Sequence, residues 1–88
     1  MSVGSYSKYR MVTNEDLEIF NEAKKDLIGV EYEALIVAQQ VVSGINYKFV
    51  CNARLPHIPD SPYLATMTVY SPLPGQGAPE VIDIKRID

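Results

Sequence analysis

Apolar residues recur along this chain with two different periods, and the change from one to the other falls at Gly29. Before it, Leu17, Phe20, Ala23, Leu27 and Ile28 are spaced mostly three and four residues apart, with Glu18, Asn21, Glu22 and Lys25 elsewhere on the wheel. That spacing predicts one amphipathic helix of about four turns, apolar along a single stripe. Thr13-Asn14-Glu15-Asp16 supplies its start. Thr13 can accept from the N–H three residues on while Asp16 reaches back, the reciprocal pattern of a capping box. Gly29 is placed to end the helix in a left-handed conformation.

After Gly29 the pattern is that of strands. Residues 31–42 are long enough to cross a whole sheet, and residues 45–55 return beside them. A proline-studded connector follows over 56–62. Residues 63–70 alternate, with Ala65, Met67 and Val69 on one face and Thr66 and Thr68 on the other. A turn over 71–77 leads to a last strand over 80–87, in which Ile82 and Ile84 share one face and Asp83 and Lys85 the other. Residues 1–12 lack periodicity and read as an extended, mobile N-terminal arm. The prediction is an α+β domain spanning 1–88, with one helix laid on an antiparallel meander of four strands and part of the arm available as a fifth.

Two stretches stand out for what they omit. No charge occurs from Ala34 to Tyr47, nor from Tyr63 to Pro79. The first stretch contains the hairpin Gln40-Val41-Val42-Ser43-Gly44, with Ser-Gly as a tight-turn signal. A hairpin that juts into water normally carries polar residues, and this one carries two valines. The alternative is that Val41 and Val42 are strand residues packed on the helix, with the turn covered by a neighbouring subunit. Two charge-free tips at one end of a meander favour an interaction surface.

Composition narrows the classes. A chain of 88 residues buries only about two thirds of its unfolded surface, so one small core is the limit. Hydrophobic content of 47% with 22% charged residues describes an ordinary globular protein. The net charge of −3 and the scattered basic residues argue against nucleic acid as a partner. With no run of about twenty apolar residues, no membrane-spanning helix is expected. Cys51 reads as a core-facing strand residue, and the only histidine, His57, lies in the connector, which suits a Cys-His enzyme poorly. The acids Glu15, Asp16, Glu18 and Glu22 fall on the helix's solvent side without converging, so a paired-carboxylate hydrolase is disfavoured. The expectation is a protein that is not an enzyme and needs no cofactor or metal. The first eight residues lack the apolar core of a signal peptide. The chain is therefore expected in the cytoplasm, or secreted or periplasmic if a signal has been removed.

Gln40-Val41-Val42-Ser43-Gly44 resembles the Gln-x-Val-x-Gly hairpin of the cystatins, inhibitors of papain-like cysteine proteases, with Ser43 in place of a common alanine. Asn46-Tyr47 is similar to the family's continuation. Leu73-Pro74-Gly75-Gln76 resembles the second hairpin of the disulfide-free stefin branch, and Gly4 stands where cystatins carry their N-terminal glycine. The resemblance spans nearly the whole chain. It implies a cystatin-like fold, in which a curved sheet wraps one helix, and reversible, competitive inhibition by a wedge that occludes the protease cleft. Carried over, the protease-binding residues are Gly4, Gln40, Val41, Val42, Ser43, Gly44, Leu73, Pro74, Gly75 and Gln76. The alternative is a non-inhibitory interaction module of the same fold. The expected state is a monomer able to convert to a domain-swapped dimer, because bulky Val41 and Val42 must bend just before a two-residue turn.

Overall fold

The computed structural model describes residues 4–88, so Met1, Ser2 and Val3 of the expected arm lie outside the described residues. These residues form β1 (Arg10–Met11), α1 (Asn14–Lys24), β2 (Glu31–Val42), β3 (Gly44–Arg54), β4 (Tyr63–Ser71) and β5 (Glu80–Arg86). The strands make one antiparallel sheet in the order β1-β2-β3-β4-β5, with α1 packed on one face. The α+β architecture is thus the expected one, and it is consistent with a cystatin-like fold. The arm does contribute the fifth strand, through Arg10 opposite Val37 and Met11 opposite Ile36.

Register explains where the core sits. Val37, Phe49 and Met67 are cross-strand neighbours, as are Tyr47 with Val69 and Cys51 with Ala65. All of these point to the helix side and are buried. Phe20 of α1 completes the cluster, its ring 4.8 Å from that of Phe49. Val37, Phe49, Met67, Val69 and Phe20 each contribute about 1.5–3 kcal/mol by leaving water, so this central row holds helix and sheet together. Two bulges bend the sheet. One inserts Leu35 between the Ala34–Cys51 and Ile36–Val50 pairs, and the other inserts Ile82 between Val81 and Asp83. A bulge gives one strand an extra residue and increases its local curvature.

The helix start is as expected: Thr13 and Asp16 form the capping box. Asp16, however, is not on the solvent side. It is 4% exposed and accepts from Arg10 of β1 at 2.5 and 3.1 Å. The Arg10 guanidinium, aided by the Thr13 backbone and hydroxyl, holds the Asp16 carboxyl below its usual range against the opposing effect of burial.

The helix end differs too. The last helical residue is Lys24, and the Leu27 N–H closes a tighter turn on the Lys24 carbonyl at 2.9 Å. That turn swings the chain back toward β2, so Leu27 and Ile28 leave the stripe and Ile28 is 93% exposed. Ile19 takes their place against the core. Gly29 does adopt positive φ, but in the link after the helix. In β5 the bulge breaks the expected alternation. Val81 and Ile84 pair with the core-facing Val69 and Met67, and Ile82 is displaced outward.

Candidate functional site

The first hairpin turns more sharply than a two-residue loop. Val42 pairs with Gly44, Val41 with Ile45 and Gln40 with Asn46, which leaves Ser43 alone at the tip. Gly44 makes this possible in two ways. Its φ is +107°, a region that side chains rarely adopt. A Cβ there would lie 2.4 Å from the Ser71 carbonyl oxygen and about 3.1–3.2 Å from the Pro72 backbone. The close approach that glycine permits is therefore internal, between the first hairpin and the end of β4. The Tyr70 hydroxyl braces the same corner by donating to the Ser43 carbonyl.

The second turn is built from Leu73-Pro74-Gly75-Gln76. The Gln76 N–H donates to the Leu73 carbonyl at 2.9 Å. Proline at the second position and a glycine with φ +79° at the third fit a type II turn. Between the two hairpins runs an apolar groove of about 410 Å³, with Val41, Val42 and Ile45 on one wall and Pro72, Leu73 and Pro74 on the other. Val41 is 69% exposed and Leu73 51%.

The arm reaches the same place. The Ser7 N–H donates to the Gln39 carbonyl at 2.8 Å, and the Gln39 N–H returns a bond to Ser7 Oγ at 2.9 Å. Further out, the Gly4 N–H meets the Val41 carbonyl at 3.4 Å. Gln40 Nε2 donates to the Gly4 carbonyl at 2.9 Å, and Asn46 Nδ2 donates to Gln40 Oε1 at 3.0 Å. Lys48 places its ammonium 5.3 Å from the centre of the Tyr6 ring, so the arm is also held over the outer face of the sheet.

The fold thus gathers Gly4, the hairpin residues 40–44 and the turn residues 73–76 at one end of a molecule 45 Å long. Their side chains carry no titratable group. The only hydroxyl among them, Ser43, has neither acid nor base beside it in the sequence-local turn. What such a surface can do is present apolar area and backbone groups. The thiol of Cys51 is sealed in the core, and burial pushes it up to about 12. His57 is exposed on the connector.

Sequence reasoning did not assign roles to Tyr70, Ser71 and Pro72, which support the first tip, or to Gln39 and Ser7, which lead the arm to it. The Gln40–Asn46 pair was open to detection by counting outward from Ser43 as the centre of the hairpin. The packing of Gly44 on Ser71 joins residues far apart in sequence and leaves no local signal. Set against models of known protein families, curated proteins and solved structures, the chain matches none.

Proposed function

We propose that this chain is a cystatin-like, reversible and competitive inhibitor of papain-like cysteine proteases, and that it performs no chemistry of its own. One observation carries the reading. Three uncharged segments separated in sequence, at Gly4, residues 40–44 and residues 73–76, converge at one end of the molecule with Val41 and Leu73 turned to solvent. These are the segments that the cystatin resemblance marks as the wedge.

In the arrangement implied by that resemblance, residues 40–44 sit beside the catalytic thiol and residues 73–76 take the primed side. The arm around Gly4 lies in the non-primed subsites. Val41, Val42 and Leu73 lose water on insertion, each contributing up to about 1.5–3 kcal/mol when fully buried. The hairpins are closed by Gly44 and by the Pro74-Gly75 turn, so little conformational freedom is left to lose on association. A tip as tight as Val42-Ser43-Gly44 offers the nucleophile no extended peptide to cleave. Because no side chain of the wedge titrates, the pH dependence of inhibition is expected to follow the protease alone.

The test is a titration of papain, with hydrolysis of a small synthetic substrate as the readout. The expected result is inhibition that raises the apparent KM, leaves kcat unchanged and disappears on dilution. No inhibition at micromolar concentrations would reject the reading and favour a non-inhibitory interaction module of the same fold.

A further inference from the structure

From the hydrogen bonds at the first hairpin we infer that Gln40, which the cystatin resemblance counts among the protease-binding residues, is instead a positioning residue that fastens the N-terminal arm to the hairpin; the consequence for inhibition rests on the function proposed above. Gln40 and Asn46 are directly opposite each other on β2 and β3. Asn46 Nδ2 occupies one end of the Gln40 amide at 3.0 Å, and Nε2 at the other end meets the Gly4 carbonyl at 2.9 Å. Reversing the amide would set oxygen against the Gly4 carbonyl, a repulsion that no reversal of Asn46 relieves. The Gly4 carbonyl, which can only accept, therefore fixes the orientation of the amide, and Asn46 steadies its other end.

The neighbouring contacts show why the side chain matters at this point. Backbone pairing between arm and β2 is short at Ser7, 2.8 Å, but has lengthened to 3.4 Å by Gly4. Beyond Ser7 the glutamine amide is the stronger link. Gln40 is half-buried, while Val41 next to it projects into solvent. The division of labour is then clear: Val41 and Val42 offer surface, and Gln40 aligns the arm with them before any partner arrives. Prealignment lowers the ordering cost of association.

Backbone ¹⁵N relaxation of the full chain tests the tie without any protease. The expected order parameter of Gly4 lies above about 0.6 in the unaltered protein and falls below it in both Gln40→Ala and Asn46→Ala. The amides of β2 and α1 should be unchanged in both variants. A Gly4 amide that is already mobile in the unaltered protein, or that stays ordered in either variant, overturns the inference. Papain inhibition supplies the second readout. Each variant should bind about three- to tenfold more weakly, the scale of one or two net hydrogen bonds. Once residues 1–4 are removed, Gln40→Ala should have no further effect. If Gln40→Ala weakens inhibition equally with and without residues 1–4, the glutamine touches the protease and the positioning role is wrong. If the unaltered chain does not inhibit papain, the proposed function falls, while the relaxation data still decide the tie.

Discussion

The same two strands, β2 and β3, build both ends of this molecule, and the two ends differ most in charge. At the hairpin end, residues 40–46 carry none, and exposed Val41 and Leu73 flank an apolar groove. At the opposite end, Glu31, Glu33, Asn52 and Arg54 line a polar hollow of about 220 Å³, with Arg54 3.4 Å from Glu31. Arg86 and Asp88 pair nearby at 3.2 Å, and Asp88 also accepts from the Leu64 N–H. Turn construction differs in parallel. The hairpin end closes on Gly44 and Gly75 at positive φ, whereas Pro56, Pro59 and Pro62 stiffen the connector, whose turns bond Ile58 to Leu55 and Ser61 to Ile58. Both ends are constrained, but only one is apolar. In a chain with 19 formal charges, neither hairpin tip carries one, the nearest in the strand register being Glu80 opposite Tyr70, so the tips have a surface suited to leaving water on contact with a partner.

Opening the hairpin end altogether should have the largest effect. If residues 31–54 straighten into one strand, two chains can exchange the arm, α1 and β2 while remaking nearly every contact. The tip disappears in that form. A slowly formed dimer after heating is expected to be inactive, with the monomer retaining inhibition. Size-exclusion chromatography with an assay on each peak checks this, and a dimer that inhibits like the monomer would contradict it.

Next comes Gly44→Ala. Its Cβ would collide with the Ser71 carbonyl at a φ that alanine resists, so a stability loss of about 3 kcal/mol is expected by denaturant unfolding. The corresponding change at the polar end, Arg54→Ala, removes only an exposed ion pair and should cost less than about 1 kcal/mol. Similar losses at both ends would mean that the close packing of the hairpins is not what fixes the wedge.

Val42→Asp leaves the fold standing and puts an unpaired charge on the proposed contact surface. Inhibition of papain should weaken by about a hundredfold, on the scale of burying a charge without a partner. Lys85→Ala, on the outer face of β5, should leave it unchanged. Equal effects at the two sites would misplace the contact.

The smallest effect concerns the middle of the molecule, to which both ends are attached. Asp16→Asn removes the charge held by Arg10 and should cost about 1–2 kcal/mol at neutral pH, less than a fully buried pair because Arg10 is half-open to solvent. The carboxyl is held below its usual 3.8 in the folded state. Its contribution is therefore fully present above that value and is lost as pH falls through the lower folded one. The difference between protein and variant should shrink accordingly below about pH 4, and a gap that persists in stronger acid would assign the effect to something other than ionisation.

Much of the fold was legible because local signals agreed. Long apolar runs on either side of the Ser-Gly turn located β2 and β3 and alternation located β4 and β5, each to within about one residue, and Thr13 with Asp16 marked the helix start. Gly29 misled because a positive-φ glycine closes links as well as helices, and the shorter turn from Lys24 to Leu27 has no distinctive residue. The bulges at Leu35 and Ile82 add one residue to one strand, a change that alternation cannot reveal from a single strand. The Arg10–Asp16 pair and the seat of Gly44 on Ser71 are tertiary. At the candidate site, the residues of both hairpins were readable, but what holds them together was not.

Chemical-shift mapping with papain whose active-site thiol has been blocked by carboxymethylation tests most directly which end meets a partner. Amide resonances of Gly4, residues 40–46 and residues 71–76 are expected to shift on complex formation, while those of residues 31–33, 52–54 and 57–60 stay in place. Shifts confined to the charged end, or none at saturating protease, would contradict the central claim that the uncharged hairpin end is the binding surface.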